Sequence, residues 1–171
     1  YEVLVVRESL RNLFNKVCNM HVALFNPQIP PNTGNIIRLC ANTGVQLHLI
    51  HPLGFEMETK ALRRAGLDYR EWAQVVEHKD FKAFMQDTDF HRIYALTTKA
   101  EDYSHQVNYA DNDCLLLGPE TRGLPEVVRE HELIYPVRIP MKADSRSLNL
   151  SNTAAVVVYQ ALAQLGFRDL A

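Results

Sequence analysis

Apolar residues occur in short blocks along this chain, and the blocks predict strands separated by helices and loops. The blocks that predict strands are rich in Val, Ile and Leu and span residues 22–26, 45–50, 73–77, 92–97, 113–117 and 134–139. Residues 113–117 are almost continuously apolar, which is typical of a strand buried on both faces of a sheet.

The segments between these strands predict helices whose ends carry local signals. We predict helices starting near residue 32 and spanning 56–65, 80–86, 125–131 and 153–165. Gly44 is expected as a left-handed cap, Asp80 near a helix start, and Pro125 in a first turn. The three prolines within residues 27–31 predict an irregular loop before the first helix. Residues 156–158 alone suit a strand, but the length of the last segment and its alanine-rich flanks favour a helix.

Strands and helices alternate in this prediction, which gives an α/β fold with a parallel sheet flanked by helices. We expect one domain, residues 20–171. Residues 1–19 are left out of it, because Met20 offers an initiation point just before the first strand and no signal-peptide cleavage site precedes it. We expect residues 1–19 to be an added leader or an upstream extension.

Composition narrows the classes of function. The formal net charge is −2, so nucleic acid would have to bind through a local basic patch. The three cysteines are odd in number, and the closest histidines, His48 and His51, are expected on opposite faces of a strand end. No apolar run approaches the roughly 20 residues of a membrane span. We therefore predict neither a disulfide framework, nor a metal site, nor a membrane partner.

Polar segments follow three of the predicted strands, at residues 26–38, 118–125 and 139–152. In parallel α/β sheets, ligands bind beyond the carboxyl ends of the strands, so these segments should lie close together. Residues 145–152 carry hydroxyls and amides directly before an apolar helix, and such groups cost free energy when buried unless they are paired. We predict a site there.

Each candidate residue also has a purely structural interpretation. Asn32 is either a helix N-cap or a site residue, and Arg38 is either a solvated arginine or lies at the edge of a buried face. Glu120 is either a surface acid or the anchor of Arg38. Ser147 and Asn149 could bond their own backbone in a turn. The segment 118–125, with two glycines and two prolines, is either a tight turn or a close approach of backbone to a ligand.

Taken together, the three segments resemble the SPOUT superfamily of S-adenosylmethionine-dependent RNA methyltransferases, in the branch that methylates ribose 2′-hydroxyls. The matching motifs are NP at 26–27 with NTGNIIR at 32–38, LGPETRGL at 117–124, and IPM at 139–141 with SRSLNLSN at 145–152. Residues 36–44 and 63–69 also resemble a compact bacterial subgroup that acts on tRNA.

The resemblance implies a trefoil knot at the C-terminal end, a homodimer and S-adenosyl-L-methionine as cofactor, with S-adenosyl-L-homocysteine as product. It implies methylation of the wobble ribose, of C or modified U, in anticodon stem-loops of leucine tRNAs in the cytoplasm. Ribosomal RNA as substrate and a catalytically silent RNA-binding dimer are the alternatives.

The resemblance also implies roles for individual residues. Arg38 would lie at the 2′-hydroxyl with Asn32, Glu120, Ser147 and Asn149 around it. The cofactor would contact Leu96, Thr97, Gly118, Glu120, Gly123, Ile139, Met141, Ser147 and Leu148. From their charge, the candidate phosphate contacts for RNA are Arg63, Arg64, Arg70, Arg122, Lys142 and Arg146, although each could equally be a solvated surface residue. A charged guanidinium accepts no proton, so our hypothesis is that Arg38 clamps the neighbouring phosphate while Glu120 holds Arg38 in place.

Overall fold

The structure, a computed structural model, describes residues 19–56 and 75–171. Within them, the strands are β1 His21–Phe25, β2 Gln46–Ile50, β3 Val75–His78, β4 Arg92–Leu96, β5 Asp113–Leu117 and β6 Ile134–Val137. They form a six-stranded sheet in the order β3-β2-β1-β5-β4-β6, and every neighbouring pair is parallel. The predicted parallel α/β architecture is confirmed.

Helices cover both faces of this sheet. In the described residues they are α1 Pro30–Thr43, α2 Phe81–Asp87, α3 Glu126–Arg129 and α4 Leu150–Gln164. The long helices α1 and α4 pack on one face, and α2 and α3 pack on the other. Every residue of β5 is buried, as its apolar run predicts. Because β5 is an interior strand of the sheet, the loop that follows it lies near the middle of the sheet's carboxyl edge.

The first helix begins earlier than the sequence predicts. Pro30 and Pro31, which are expected in an irregular loop, occupy the first two positions of α1, and Ile29 is its N-cap. Proline is tolerated there because the first N–H groups of a helix have no partner within the helix. Gly44 ends the helix with φ of 71°, which confirms the predicted left-handed cap.

Two further expectations are corrected. The connection between β4 and β5, residues 97–112, contains no helix, so strands and helices do not alternate throughout. Side chains hold this connection on α4 instead, where the Ser104 hydroxyl donates to Gln160 Oε1 at 2.9 Å.

Pro125 is the N-cap of α3 and lies before its first turn, not within it as expected. Asp80 caps α2 as predicted, since its carboxylate accepts from the Ala83 N–H at 2.8 Å.

The last helix is confirmed and begins at Leu150, three residues earlier than expected, because Asn149 is its N-cap. The helix predicted at 56–65 lies almost entirely outside the described residues, as do Arg63, Arg64, Arg70 and the segment 1–18. The trefoil knot stays a prediction. In the described part of the chain, no helix is long and apolar enough to cross a bilayer.

Candidate active site

The three polar segments meet, as predicted, at the carboxyl ends of the strands. They surround a cavity of about 710 Å³, together with the residues that follow β4. Side chains from the first and third segments contact each other or Glu120 of the second, so the segments form one site. All the residues expected to contact the cofactor line it: Leu96, Thr97, Gly118, Glu120, Gly123, Ile139, Met141, Ser147 and Leu148.

Glu120 is the centre of the polar contacts in this site. Its Oε2 accepts from the Gln28 N–H at 2.9 Å, and its Oε1 accepts from the Ile29 N–H at 3.1 Å. The Asn32 side-chain amide donates to the same Oε1 at 3.2 Å. Three N–H donors thus converge on one carboxylate, and they fix the segment after β1 to the segment after β5.

Asn32 and Asn149 extend these contacts to the third segment. The Asn149 Nδ2 donates to Asn32 Oδ1 at 3.0 Å. The Asn149 Oδ1 caps α4 by accepting from the Ser151 N–H at 2.9 Å. Both interpretations of Asn149 are therefore correct: it caps α4 through the backbone, and it contacts Asn32 within the site. The N-cap interpretation of Asn32 is wrong: it lies inside the first turn of α1 and is buried.

The loop before α1 is held from both sides. The Thr121 hydroxyl donates to Gln28 Oε1 at 2.7 Å, next to the contact of Glu120 with the Gln28 backbone. On the other side, the Gly54 N–H donates to Pro27 O at 2.9 Å. A Cβ on Gly54 would lie 2.9 Å from Gln28 Cα, so the close approach of these two loops requires glycine.

The backbone conformation of residues 118–125 requires glycine at two positions. A Cβ on Gly118 would lie 2.4 Å from the Leu124 backbone nitrogen, because the loop folds back on its own start. Gly123 has φ of 68°, a conformation that residues with a Cβ rarely adopt. Both glycines line the cavity, so the tight turn and the approach of backbone to a ligand site are the same feature.

Arg38 does not join this arrangement. It is exposed on α1 and does not line the cavity, whereas Asn32, Glu120, Ser147 and Asn149 all do. The contacts of Glu120 are with two backbone amides and Asn32, so its expected contact with Arg38 is not among them. The physical reason is the helical spacing: six residues turn Arg38 about 120° around α1 from Asn32.

Basic side chains lie at the rim of the cavity. Arg122 and Arg146, two of the expected RNA contacts, line it, whereas Lys142 is exposed outside it. Lys99 and Arg129 also line the cavity, although neither is among the residues predicted from the sequence. Lys99 follows β4 by three residues, so the rule that ligands bind beyond strand ends could have identified it. Nothing in the sequence pattern marks Arg129, which reaches the cavity from α3.

The cavity fits a nucleoside cofactor. Its volume lies within the roughly 300–1,000 Å³ of typical small-molecule sites. Apolar side chains of Leu96, Ile139, Met141 and Leu148 line it beside polar backbone of the glycine-containing loop. Such sites combine an apolar lining with a few fixed polar groups. A purine ring and its hydrogen-bonding edge match that combination.

A parallel α/β fold with three strand-end loops around a nucleoside-sized cavity is typical of enzymes that bind a nucleoside-containing cofactor at an open sheet. The chain belongs to the SpoU rRNA Methylase family, whose model matches residues 19–159. It is 55% identical over 148 residues to the tRNA (cytidine(34)-2'-O)-methyltransferase of Saccharophagus degradans, and the match covers 86% of this chain and 96% of that relative.

Solved structures agree with this assignment. One, from work on the "2-OH methylation of C/U34 on tRNA", is 39% identical, with a TM-score of 0.81 over 87% of this chain and 97% of that chain. Another is an AdoMet-bound rRNA methyltransferase from Sinorhizobium meliloti. It is 24% identical, with a TM-score of 0.75 over 91% of this chain and 60% of that chain, a likeness that concerns the fold alone.

Proposed function

We propose that this chain transfers a methyl group from S-adenosyl-L-methionine to the 2′-hydroxyl of the ribose at tRNA position 34. The observation that carries the proposal is the contact of Glu120, Asn32 and Asn149 at the wall of a nucleoside-sized cavity. The names of the similar proteins favour position 34 as the target. We extend the proposal to C or modified U in leucine tRNAs, as the sequence resemblance implies.

In the proposed reaction, S-adenosyl-L-methionine would supply an electrophilic methyl group on its sulfonium, the 2′-hydroxyl would release its proton to water, and S-adenosyl-L-homocysteine would remain. The chain's own task is to hold the reacting groups in line, which is worth several powers of ten in rate. The residues expected to hold the cofactor are Leu96, Thr97, Gly118, Glu120, Gly123, Ile139, Met141, Ser147 and Leu148. Their apolar side chains would exclude water, and backbone of the loops would bind the adenine edge.

Asn32, Ser147 and Asn149 would orient the target ribose. Asn32 and Asn149 fix each other through the 3.0 Å contact of their amides, so their remaining polar positions are pre-oriented before RNA binds. Glu120 already accepts three N–H bonds out of about four that a carboxylate can take. We therefore assign Glu120 to holding the site together rather than to holding Arg38.

We propose that Arg38 binds the phosphate beside the target ribose from its exposed position on α1. A guanidinium forms paired hydrogen bonds with a phosphate, whereas lysine is a point charge. An Arg38→Lys variant should therefore lose about tenfold in kcat/KM for RNA, measured by transfer of labelled methyl groups. Turnover equal to that of the unaltered protein would remove this role.

The proposed RNA substrate is the anticodon stem-loop, whose unpaired nucleotides expose their riboses without melting of a duplex. Arg122 and Arg146 at the cavity rim, with Lys142 nearby in sequence, would bind phosphates. Arg63 and Arg64 are expected to add to them. We also propose that the protein acts in the cytoplasm, on the tRNA pool there.

We further propose that the chain works as a homodimer. The outer face of α4 exposes Val156 and Tyr159, and Phe167 packs beside Tyr159 with ring centroids 6.3 Å apart. Exposed apolar side chains that cluster on one helix face are typical of protein interfaces. Sedimentation at micromolar concentration should give twice the mass of the chain, and a monomer would contradict this proposal.

The decisive experiment for the proposed function is methyl transfer to total tRNA from a strain that lacks the corresponding gene. We expect label in tRNA, at the ribose of nucleotide 34, when modified nucleotides are mapped. Label in ribosomal RNA alone would overturn the proposal of a tRNA substrate. Ribosomal RNA is the alternative substrate, and the name of the family includes it. A lack of S-adenosyl-L-methionine binding in calorimetric titration would favour a catalytically silent RNA-binding dimer.

A further inference from the structure

Ile29 has an apolar side chain that contributes neither to the hydrophobic core nor to the proposed catalysis. It lines the cavity, yet 41% of it is exposed. Among the described residues, only one other large apolar side chain combines these properties, and that is Leu148, an expected cofactor contact. Ile29 also belongs to neither core cluster. Packing therefore does not explain an isoleucine at this position.

Local helix structure does not explain it either. Ile29 is the N-cap of α1, where Ser, Thr, Asp and Asn are preferred because their oxygens accept a backbone N–H. Isoleucine is among the least favourable residues there, and its side chain makes no capping bond. A residue that breaks a local rule without a packing gain marks a candidate functional position.

The position of Ile29 relative to the reacting groups is fixed. Its backbone N–H donates to Glu120 Oε1 at 3.1 Å, the same oxygen that accepts from Asn32. Its backbone carbonyl accepts from the Asn32 N–H at 3.1 Å. The exposed side chain is thus held at the part of the cavity where Asn32 and Glu120 meet.

We propose that Ile29 packs against the base of the target nucleotide and so contributes to substrate binding. This inference rests on the proposed function. An unpaired base presents an apolar face that proteins commonly cover with apolar or aromatic side chains. The cationic rim of Lys99, Arg122 and Arg146 would hold the flanking phosphates, which makes a nucleotide the occupant that this wall of the cavity suits.

Ile29→Thr tests this inference, because threonine keeps the β-branch and adds an oxygen that can cap α1. We expect the KM for an anticodon stem-loop carrying C34 to rise about fivefold to tenfold, since less apolar surface leaves water on binding. The KM for S-adenosyl-L-methionine should stay within about twofold, and the thermal midpoint should stay equal or increase, because the new hydroxyl can cap the helix. Val127→Thr, an exposed position outside the cavity, is the matched control and should change none of these values.

The outcomes separate the inference from the proposed function. If the unaltered protein methylates no RNA, the proposed function fails. If the unaltered protein is active and Ile29→Thr keeps its RNA KM, the inference alone fails. A raised KM for the cofactor would assign Ile29 to the cofactor pocket, and a lowered thermal midpoint or an altered sedimentation mass would assign it to the fold or to the dimer. Each of these results overturns the inference.

Discussion

Two networks of polar side chains lie in this one fold, and they differ in what surrounds them. In the site network, Asn32 joins Glu120 to Asn149, and all three residues line the cavity. In the histidine network, His48 joins His21 at 3.1 Å to His78 at 2.9 Å across strands β1, β2 and β3. The first network faces a cavity, whereas the second lies away from it, with His48 and His78 buried and His21 half-buried.

The histidine network satisfies its own inter-ring contacts, whereas the buried Nδ1 of His78 has no hydrogen-bond partner among the described residues and lies 3.7 Å from Asp87 Oδ2. Proton placement on every Nδ1, or on every Nε2, gives each of the two contacts one donor and one acceptor. Phe84 and Phe90 pack on the rings, with centroids 6.0 and 5.5 Å from that of His48. None of these three histidines lines the cavity, so we expect their network to act on stability. The site network keeps polar atoms at the cavity surface, and we expect its loss to reduce activity more than stability.

Glu120→Gln is the variant with the largest expected effect. An amide offers one oxygen and an N–H₂ group where the carboxylate accepts three N–H bonds, so one or two of these donors lose their partner. We expect kcat/KM for RNA methylation to fall about 100-fold, equivalent to about 3 kcal/mol. Initial rates with a C34 stem-loop and labelled cofactor measure this loss.

Glu132→Gln is the matched control, because Glu132 is exposed and does not line the cavity. It should keep the activity of the unaltered protein. A Glu120→Gln enzyme with unchanged kcat/KM would show that the contacts of Glu120 do not position the reacting groups.

The histidine network should make stability, and not catalytic geometry, depend on pH. Burial, with smaller contributions from repulsion by His21 and His78, lowers the pKa of His48 from 6.5 to about 3. Below pH 6.5 the unfolded chain therefore binds a proton that the folded protein does not. The stabilisation is present above pH 6.5 and decreases as pH falls toward 3. Between about pH 7 and about pH 5, the free energy of unfolding should fall by about 2 kcal/mol from this group.

Urea unfolding at about pH 7 and about pH 5 measures that difference. In His48→Leu, the decrease in the free energy of unfolding between the two pH values should be about 2 kcal/mol smaller, although the variant is less stable at both pH values. His105→Gln, which removes an exposed loop histidine, should show the same decrease in the free energy of unfolding as the unaltered protein. An equal fall in His48→Leu and in the unaltered protein would show that His48 is not the source of this pH dependence.

The two networks are not equally predictable from sequence. The site lies at strand ends that the apolar blocks locate, so the convergence of residues 26–38, 118–125 and 139–152 follows from the parallel sheet alone. The histidines look scattered in the sequence, because His21, His48 and His78 lie 27 and 30 residues apart. Their contact depends on strand order and register, which no local pattern encodes.

Within the site, side-chain direction is harder to predict than location. The sequence places Asn32 near Glu120 correctly, but α1 begins at Pro30, so Asn32 lies within the first turn and is not the N-cap. The direction of Arg38 follows instead from helical spacing, because six residues place it about 120° around α1 from Asn32. For Asn149 the sequence offers two alternative contacts, and only the three-dimensional structure shows that both hold.

The smallest expected effect separates those two contacts of Asn149. Serine can cap α4 with its hydroxyl but cannot reach Asn32 with an amide, so Asn149→Ser should keep stability within about 0.5 kcal/mol and lower kcat/KM about tenfold. Asn149→Ala loses both contacts and should also lose about 1 kcal/mol of stability. Urea unfolding and methyl-transfer rates on both variants measure the two effects. If stability and activity fall together in Asn149→Ser, the site network acts through the fold, and its contrast with the histidine network disappears.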